Sequence, residues 1–171
     1  MPHRILIVDD EPLNLDVLDQ ELEELGYVTA RARDGSEALS RLDTANPDLV
    51  LLDYQMPGMN GIEVLREIRR RNQNLPVVII TAYGTIERAV EAVKAGANDF
   101  ITKPFDPEHL HLVVKKALER AQLQSEVEFF AQELSGRYRL VAGKNAFMVQ
   151  TVDEAKKAAG SRSTVLLLGE S

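Results

Sequence analysis

Apolar and polar positions along this chain follow two alternating rhythms. Five short apolar runs, at 4–9, 27–32, 48–53, 75–80 and 98–101, have the length of β-strands. Between and after them, at 12–25, 35–45, 60–72, 84–95 and from 107 onward, apolar residues recur every three or four positions, which predicts amphipathic helices. Local signals agree: Pro12 stands in a first helical turn, Gly26 follows the first helix and Gly96 follows the fourth. The runs at 48–53 and 75–80 are apolar on both faces, as strands covered on both sides by helices must be.

Strands alternating with helices predict βαβ crossovers and an α/β fold with a parallel sheet. Five strands with the first one central predict a flavodoxin-like, doubly wound five-stranded sheet in the order 2-1-3-4-5. The last helical pattern outruns such a domain. Leu110, Val113, Val114, Ala117 and Leu118 can lie on the sheet. Beyond Arg120, however, Leu123, Val127, Phe130 and Leu134 are spaced four, three and four apart, an a/d-type seam. With no sheet left to cover it, that seam is expected to meet a second copy of itself and make a homodimer. The alternative is that this extended C-terminal helix, a single amphipathic one, folds back on its own domain. Ser135 and Gly136 are expected to end the helix. The organisation read from these patterns is residues 1–121 as the α/β domain, 122–137 as a helical dimerisation linker, and 138–171 as the opening of another domain with a strand at 164–168.

Charge and composition exclude several classes. Twenty-seven acidic residues against twenty basic ones leave a net charge of −7, which argues against a nucleic-acid face on this chain. The basic block Arg69-Arg70-Arg71 reads as the solvated last turn of a helix, where cations suit the helix dipole. The absence of cysteine rules out disulfides and fits the cytoplasm. No apolar stretch approaches the roughly 20 residues needed to span a bilayer, so a soluble protein with no membrane partner is expected.

The candidate chemistry lies at strand ends, where open α/β sheets place their ligands. Asp53 closes the run 48–53 and precedes a tight turn from Met56 to Gly61. Asp9 and Asp10 end the first run, and Thr81 and Lys103 follow two others. Asp53 is the expected nucleophile, forming an acyl phosphate. Three carboxylates close together repel one another, and a hard cation resolves that. Mg²⁺ is expected on Asp10 and Asp53, on Asp9 directly or through water, and on the backbone carbonyl of Gln55. Lys103 supplies a point charge and Thr81 a hydroxyl to the phosphoryl oxygens. Singly, each residue has an ordinary explanation: a helix start for Asp10, a turn cap for Asp53, a helix cap for Thr81, a surface lysine for Lys103. Jointly, four of five strand ends carry what phosphoryl transfer needs. A phosphatase working through an aspartyl phosphate would carry Asp-x-Asp at the nucleophile, whereas Tyr54 and Gln55 follow Asp53.

These residues also carry a resemblance. Ile5-Leu6-Ile7-Val8-Asp9-Asp10-Glu11, then Leu51-Leu52-Asp53-Tyr54-Gln55-Met56-Pro57-Gly58-Met59-Asn60-Gly61, then Ile79-Ile80-Thr81-Ala82, then Asp99-Phe100-Ile101-Thr102-Lys103-Pro104-Phe105 resemble a two-component response-regulator receiver domain over about residues 3–121. The resemblance implies phosphotransfer from a sensor histidine kinase to Asp53, with Lys103 and Thr81 reporting the phosphoryl group. It implies a cis Lys103–Pro104 bond, and it places Phe100 at an aromatic switch position that core packing alone would also explain. It further implies homodimer contacts through the fourth helix, fifth strand, fifth helix and linker. A receiver-shaped interaction module that is never phosphorylated is the competing reading. Leu140-Val141-Ala142-Gly143, Met148, Ala158-Ala159 and Thr164-Val165-Leu166-Leu167-Leu168-Gly169-Glu170-Ser171 resemble the start of the AAA+ ATPase domain of NtrC-type activators, which work with sigma-54 RNA polymerase. Asn145 departs from that pattern, where Ser is common. The P-loop's second glycine and lysine are absent, so ATPase activity and promoter DNA binding would belong to a parent protein.

Overall fold

The structure, a computed structural model, describes residues 2–82, 84–137, 149–151, 153, 154 and 157. The chain divides into two compact units, residues 1–126 and 127–171. The first holds a five-stranded sheet of β1 (Arg4–Val8), β2 (Val28–Ala32), β3 (Leu49–Asp53), β4 (Val77–Thr81) and β5 (Asp99–Thr102). All pairings are parallel and the order is β2-β1-β3-β4-β5, as the pattern predicts. Between the strands run α1 (Pro12–Glu24), α2 (Gly35–Ala45), α3 (Gly61–Arg71) and α4 (Ile86–Ala95), and α5 (Pro107–Arg137) follows β5.

Strand alternation sends side chains to two separate cores. Ile5, Ile7, Leu49, Leu51, Val78 and Ile80 pack with Leu15, Leu18 and Leu22 of α1 and with Leu110, Val113 and Val114 of α5. Leu6, Val8, Val50, Leu52, Val77 and Ile79 pack with residues of α2, α3 and α4. Every residue of β3 and β4 is buried. The helices begin where local chemistry allows. Asp34 accepts from the Glu37 amide at α2. Asn60 and Glu63 form a reciprocal capping box at α3. Thr85, not Thr81, caps α4, which leaves Thr81 as the last residue of β4. These caps keep extended backbone, so α3 and α4 start one or two residues later than apolar periodicity suggests.

Two expectations change. The last helix runs through Ser135 and Gly136 to Arg137. A glycine costs a helix only about 1 kcal/mol relative to alanine, too little by itself to stop one already formed. Arg69 is not a solvated dipole partner. Its guanidinium reaches across to the Gly96 carbonyl (2.9 Å), the Leu75 carbonyl (2.7 Å) and Asn98 Oδ1 (2.9 Å), tying the ends of α3 and α4 together ahead of β4. Arg70 and Arg71 do lie exposed and pair with Glu67.

Candidate functional site

The sheet register brings the chemistry together. Val8 lies beside Leu52, Asp53 beside Ile80, and Thr81 beside Thr102. Asp9 therefore leaves β1, Asp53 ends β3, Thr81 ends β4 and Lys103 leaves β5 at one rim of the sheet. The Lys103 amide donates to the Thr81 carbonyl at 2.7 Å, which anchors the residue in this position. Its ammonium donates to Asp53 Oδ1 at 2.6 Å and to Asp9 Oδ2 at 2.7 Å. Asp9, Asp53 and Thr81 are the buried polar or charged side chains among the described residues, at 1%, 4% and 3% exposure. A fold that buries its polar groups in one place has concentrated its electrostatic cost there.

Both carboxylates also accept from nearby amides. Asp9 Oδ1 accepts from the Glu11 amide (2.9 Å) and from Asn14 Nδ2 (3.0 Å), while Asp53 Oδ2 accepts from the Gln55 amide (2.8 Å). The loop after Asp53 is fixed by glycine. A Cβ on Gly61 would stand 2.2 Å from the Asp53 carbonyl oxygen, so only glycine lets α3 start this close to the end of β3. Burial is the largest influence on Asp53 and raises its pKa above the ordinary carboxylate value. Lys103 and the Gln55 amide pull it down, and Asp9 pushes it up further. Burial also opposes the Lys103 charge, but Asp53 and Asp9 together outweigh it and hold that pKa above the usual lysine value.

The sequence-predicted set is only partly assembled. Asp9, Asp53, Thr81 and Lys103 converge, but Asp10 is exposed, and among the described residues no group of three acidic, histidine or cysteine side chains gathers as a metal cluster. The Lys103 ammonium bridges Asp9 and Asp53, one positive charge against two buried carboxylates. Their hard carboxylate oxygens still suit Mg²⁺, which commonly takes one or two carboxylates and completes its shell with water or phosphate. Gln55 is exposed, with its amide turned to Asp53. Phe100 is half-buried against the core on the α3 and α4 side of the sheet, and the Lys103–Pro104 bond is cis. Of the seam, Leu123, Val127 and Phe130 are all 60% exposed or more. The side chain of Leu134, most of 138–171 and the strand expected at 164–168 lie outside the described residues. Sequence reasoning missed Asn14, a first-turn asparagine of α1 that carries no signal until the helix is docked beside Asp9.

This fold and this rim of buried charge are those of a receiver domain. The chain belongs to the response regulator receiver domain family, whose model matches residues 5–115. It is 37% identical over 171 residues to the regulatory protein AtoC of Escherichia coli strain K12, covering 99% of this chain and 37% of that protein. It is also 37% identical over 173 residues to the nitrogen assimilation regulatory protein NtrX of Azorhizobium caulinodans, covering 100% of this chain and 38% of the relative. The chain thus spans under two-fifths of the length of these curated relatives. The crystal structure of NtrX from Brucella abortus in complex with ADP superposes with a TM-score of 0.76 at 37% identity, covering 93% of this chain and 34% of that one. Among the described residues no helix is long and apolar enough to cross a membrane.

Proposed function

We propose that the chain is the phosphorylation-dependent receiver of a two-component system, taking a phosphoryl group from a sensor histidine kinase onto Asp53. The observation that carries this reading is the Lys103 ammonium seated between two buried carboxylates, one of them at the end of a central strand. A carboxylate oxygen of Asp53 attacks phosphorus in line. The acyl O–P bond forms as the kinase's N–P bond breaks, and the imidazole nitrogen keeps that electron pair. Asp9, Asp10, Asp53 and the Gln55 carbonyl would hold Mg²⁺, which when bound neutralises charge on the phosphoryl oxygens. Lys103 follows the negative charge from the carboxylate to the phosphoryl group, and the Thr81 hydroxyl hydrogen-bonds to it. Movement of Thr81 frees the space that Phe100 then fills, which reshapes the face made by α4, β5 and α5.

The same reading assigns 1–121 to the receiver, 122–137 to a dimerisation linker and 138–171 to the start of an AAA+ domain. It makes the parent protein a sigma-54-dependent transcription activator acting on RNA polymerase and DNA, with a cytoplasmic location. Relatives that align along nearly the whole chain, beyond the receiver itself, support this. So does an apolar seam on α5 that its own helix leaves exposed. Intact-mass spectrometry after incubation with acetyl phosphate and Mg²⁺ tests the chemistry. The expected result is one phosphoryl group on the wild type and none on Asp53→Ala. Modification of both proteins alike, or of neither, would refute the assignment. Light scattering with and without beryllofluoride then reads whether dimerisation follows the state of Asp53.

A further inference from the structure

We propose that Tyr54, Glu91 and Arg88 form a latch that ties α4 to the residue beside Asp53 and holds that helix in its resting position. The backbone of Tyr54 is gripped on both sides. Its amide donates to the Ile80 carbonyl of β4 (2.7 Å), and its carbonyl accepts from the Gly61 amide of α3 (3.0 Å). Its side chain therefore starts from a fixed point one residue from the phosphoacceptor. From there the phenol donates to Glu91 Oε2 at 2.7 Å, while the Arg88 guanidinium lies 4.9 Å from the ring centroid. Residues 88 and 91 are three apart on α4 and share one face, so a single aromatic side chain engages both. The hydrogen bond to Glu91 also holds the Tyr54 pKa above its usual value, as a phenol locked to a carboxylate must be.

What gives the contact leverage is how little else holds α4. Helix α3 buries Ile62, Val64, Leu65 and Ile68, whereas the buried residue of α4 is Ala92. Ile86, Val90 and Val93 are exposed. A helix with little apolar burial opens at low cost, and polar contacts then make up a large share of what retains it. At its C-terminal end α4 is pinned by the bond from Arg69 to Gly96. Its middle is held through Tyr54. A change at Asp53 that shifts the β3–α3 loop pulls directly on that second anchor, while the first serves as a pivot. Asp53 thereby gains a route to α4 that does not pass through Thr81 and Phe100.

The latch deepens the receiver reading and rests on it, but its first test does not need phosphorylation. Hydrogen exchange of the full, unmodified chain would be compared for wild type, Tyr54→Phe, Glu91→Ala and the double variant. Each single change is expected to speed exchange of the α4 amides about fivefold, the order of one solvent-exposed hydrogen bond. The double variant should be no faster than either single one, because both remove the same bond. Amides of α1 and α2 should not change. Alanine favours helix, so faster exchange in Glu91→Ala would not come from propensity. Exchange of α4 within twofold of wild type, or additive effects of the two changes, overturns the latch whatever Asp53 does. With the latch loosened, beryllofluoride should bind several-fold more tightly, since a ligand no longer works against the resting state. Unchanged affinity alongside faster exchange would leave the receiver reading standing and remove the latch from the switch.

Discussion

Replacing Lys103 with methionine keeps a long side chain but removes the charge that stands between Asp9 and Asp53. The wild-type contacts of 2.7 Å and 2.6 Å to a single nitrogen put the two acid oxygens within about 5 Å of each other. Two like charges at that separation repel by roughly 3 kcal/mol at an effective dielectric of about 20. That is enough to lift one carboxyl by about two pKa units. Asp53, already raised by burial, would rise further. The sign follows from linkage. An acid whose folded pKa exceeds its unfolded value binds protons better when folded, so the fold loses stability as pH rises through the folded pKa. Urea denaturation of Lys103→Met should therefore show a loss of about 3 kcal/mol at pH 8, the range for breaking a buried pair. The loss should be at least about 1 kcal/mol smaller at pH 5.5, where one carboxyl takes up a proton. Lys103 in the wild type stays charged at both values, because its own pKa is raised. A loss under about 1 kcal/mol, or one equal at both pH values, would refute the view that this lysine offsets the repulsion within a buried acid pair.

Three further outcomes are expected. Gly61→Ala places a Cβ 2.2 Å from the Asp53 carbonyl, so it should cost upwards of about 2 kcal/mol in urea denaturation and slow acetyl phosphate labelling. Full labelling rates in that variant would mean the β3–α3 approach is not needed for the site. Arg69→Met removes three hydrogen bonds from α3 to the end of α4 and to the residues ahead of β4 and β5. It should destabilise by about 2 kcal/mol, with faster hydrogen exchange concentrated at the α4 C-terminus; an effect spread evenly over the domain would contradict the pinning role. Val127→Glu with Phe130→Glu puts charge on two exposed seam positions, which should leave the melting temperature within a few degrees while lowering the molar mass by light scattering. An unchanged mass would take the seam out of any dimer contact.

The period of the apolar residues determined most of this architecture. Strands of four or five residues, helices of ten or more and their strict alternation leave a parallel, doubly wound sheet as the economical solution, and signals such as Pro12, Gly26 and Gly96 placed helix ends within a residue or two. The strand-end position of Asp9, Asp53, Thr81 and Lys103 followed from the same pattern, because a parallel sheet brings all its C-terminal ends to one rim. What lay beyond the sequence depends on distances between side chains far apart in the chain. Lys103 meets Asp9 across 94 positions and Asp53 across 50, and nothing local says that its ammonium bridges them. Asp9 and Asp10 are neighbours in sequence just past the end of β1, yet one is buried and the other exposed, because Lys103 and Asn14 pack against Asp9 alone. Asn14, Arg69 and Tyr54 gave no sequence signal for the same reason. A hydrogen bond is written into neither partner alone, so the pattern of residues could determine which elements form and which ends meet, while only packing decided which groups touch.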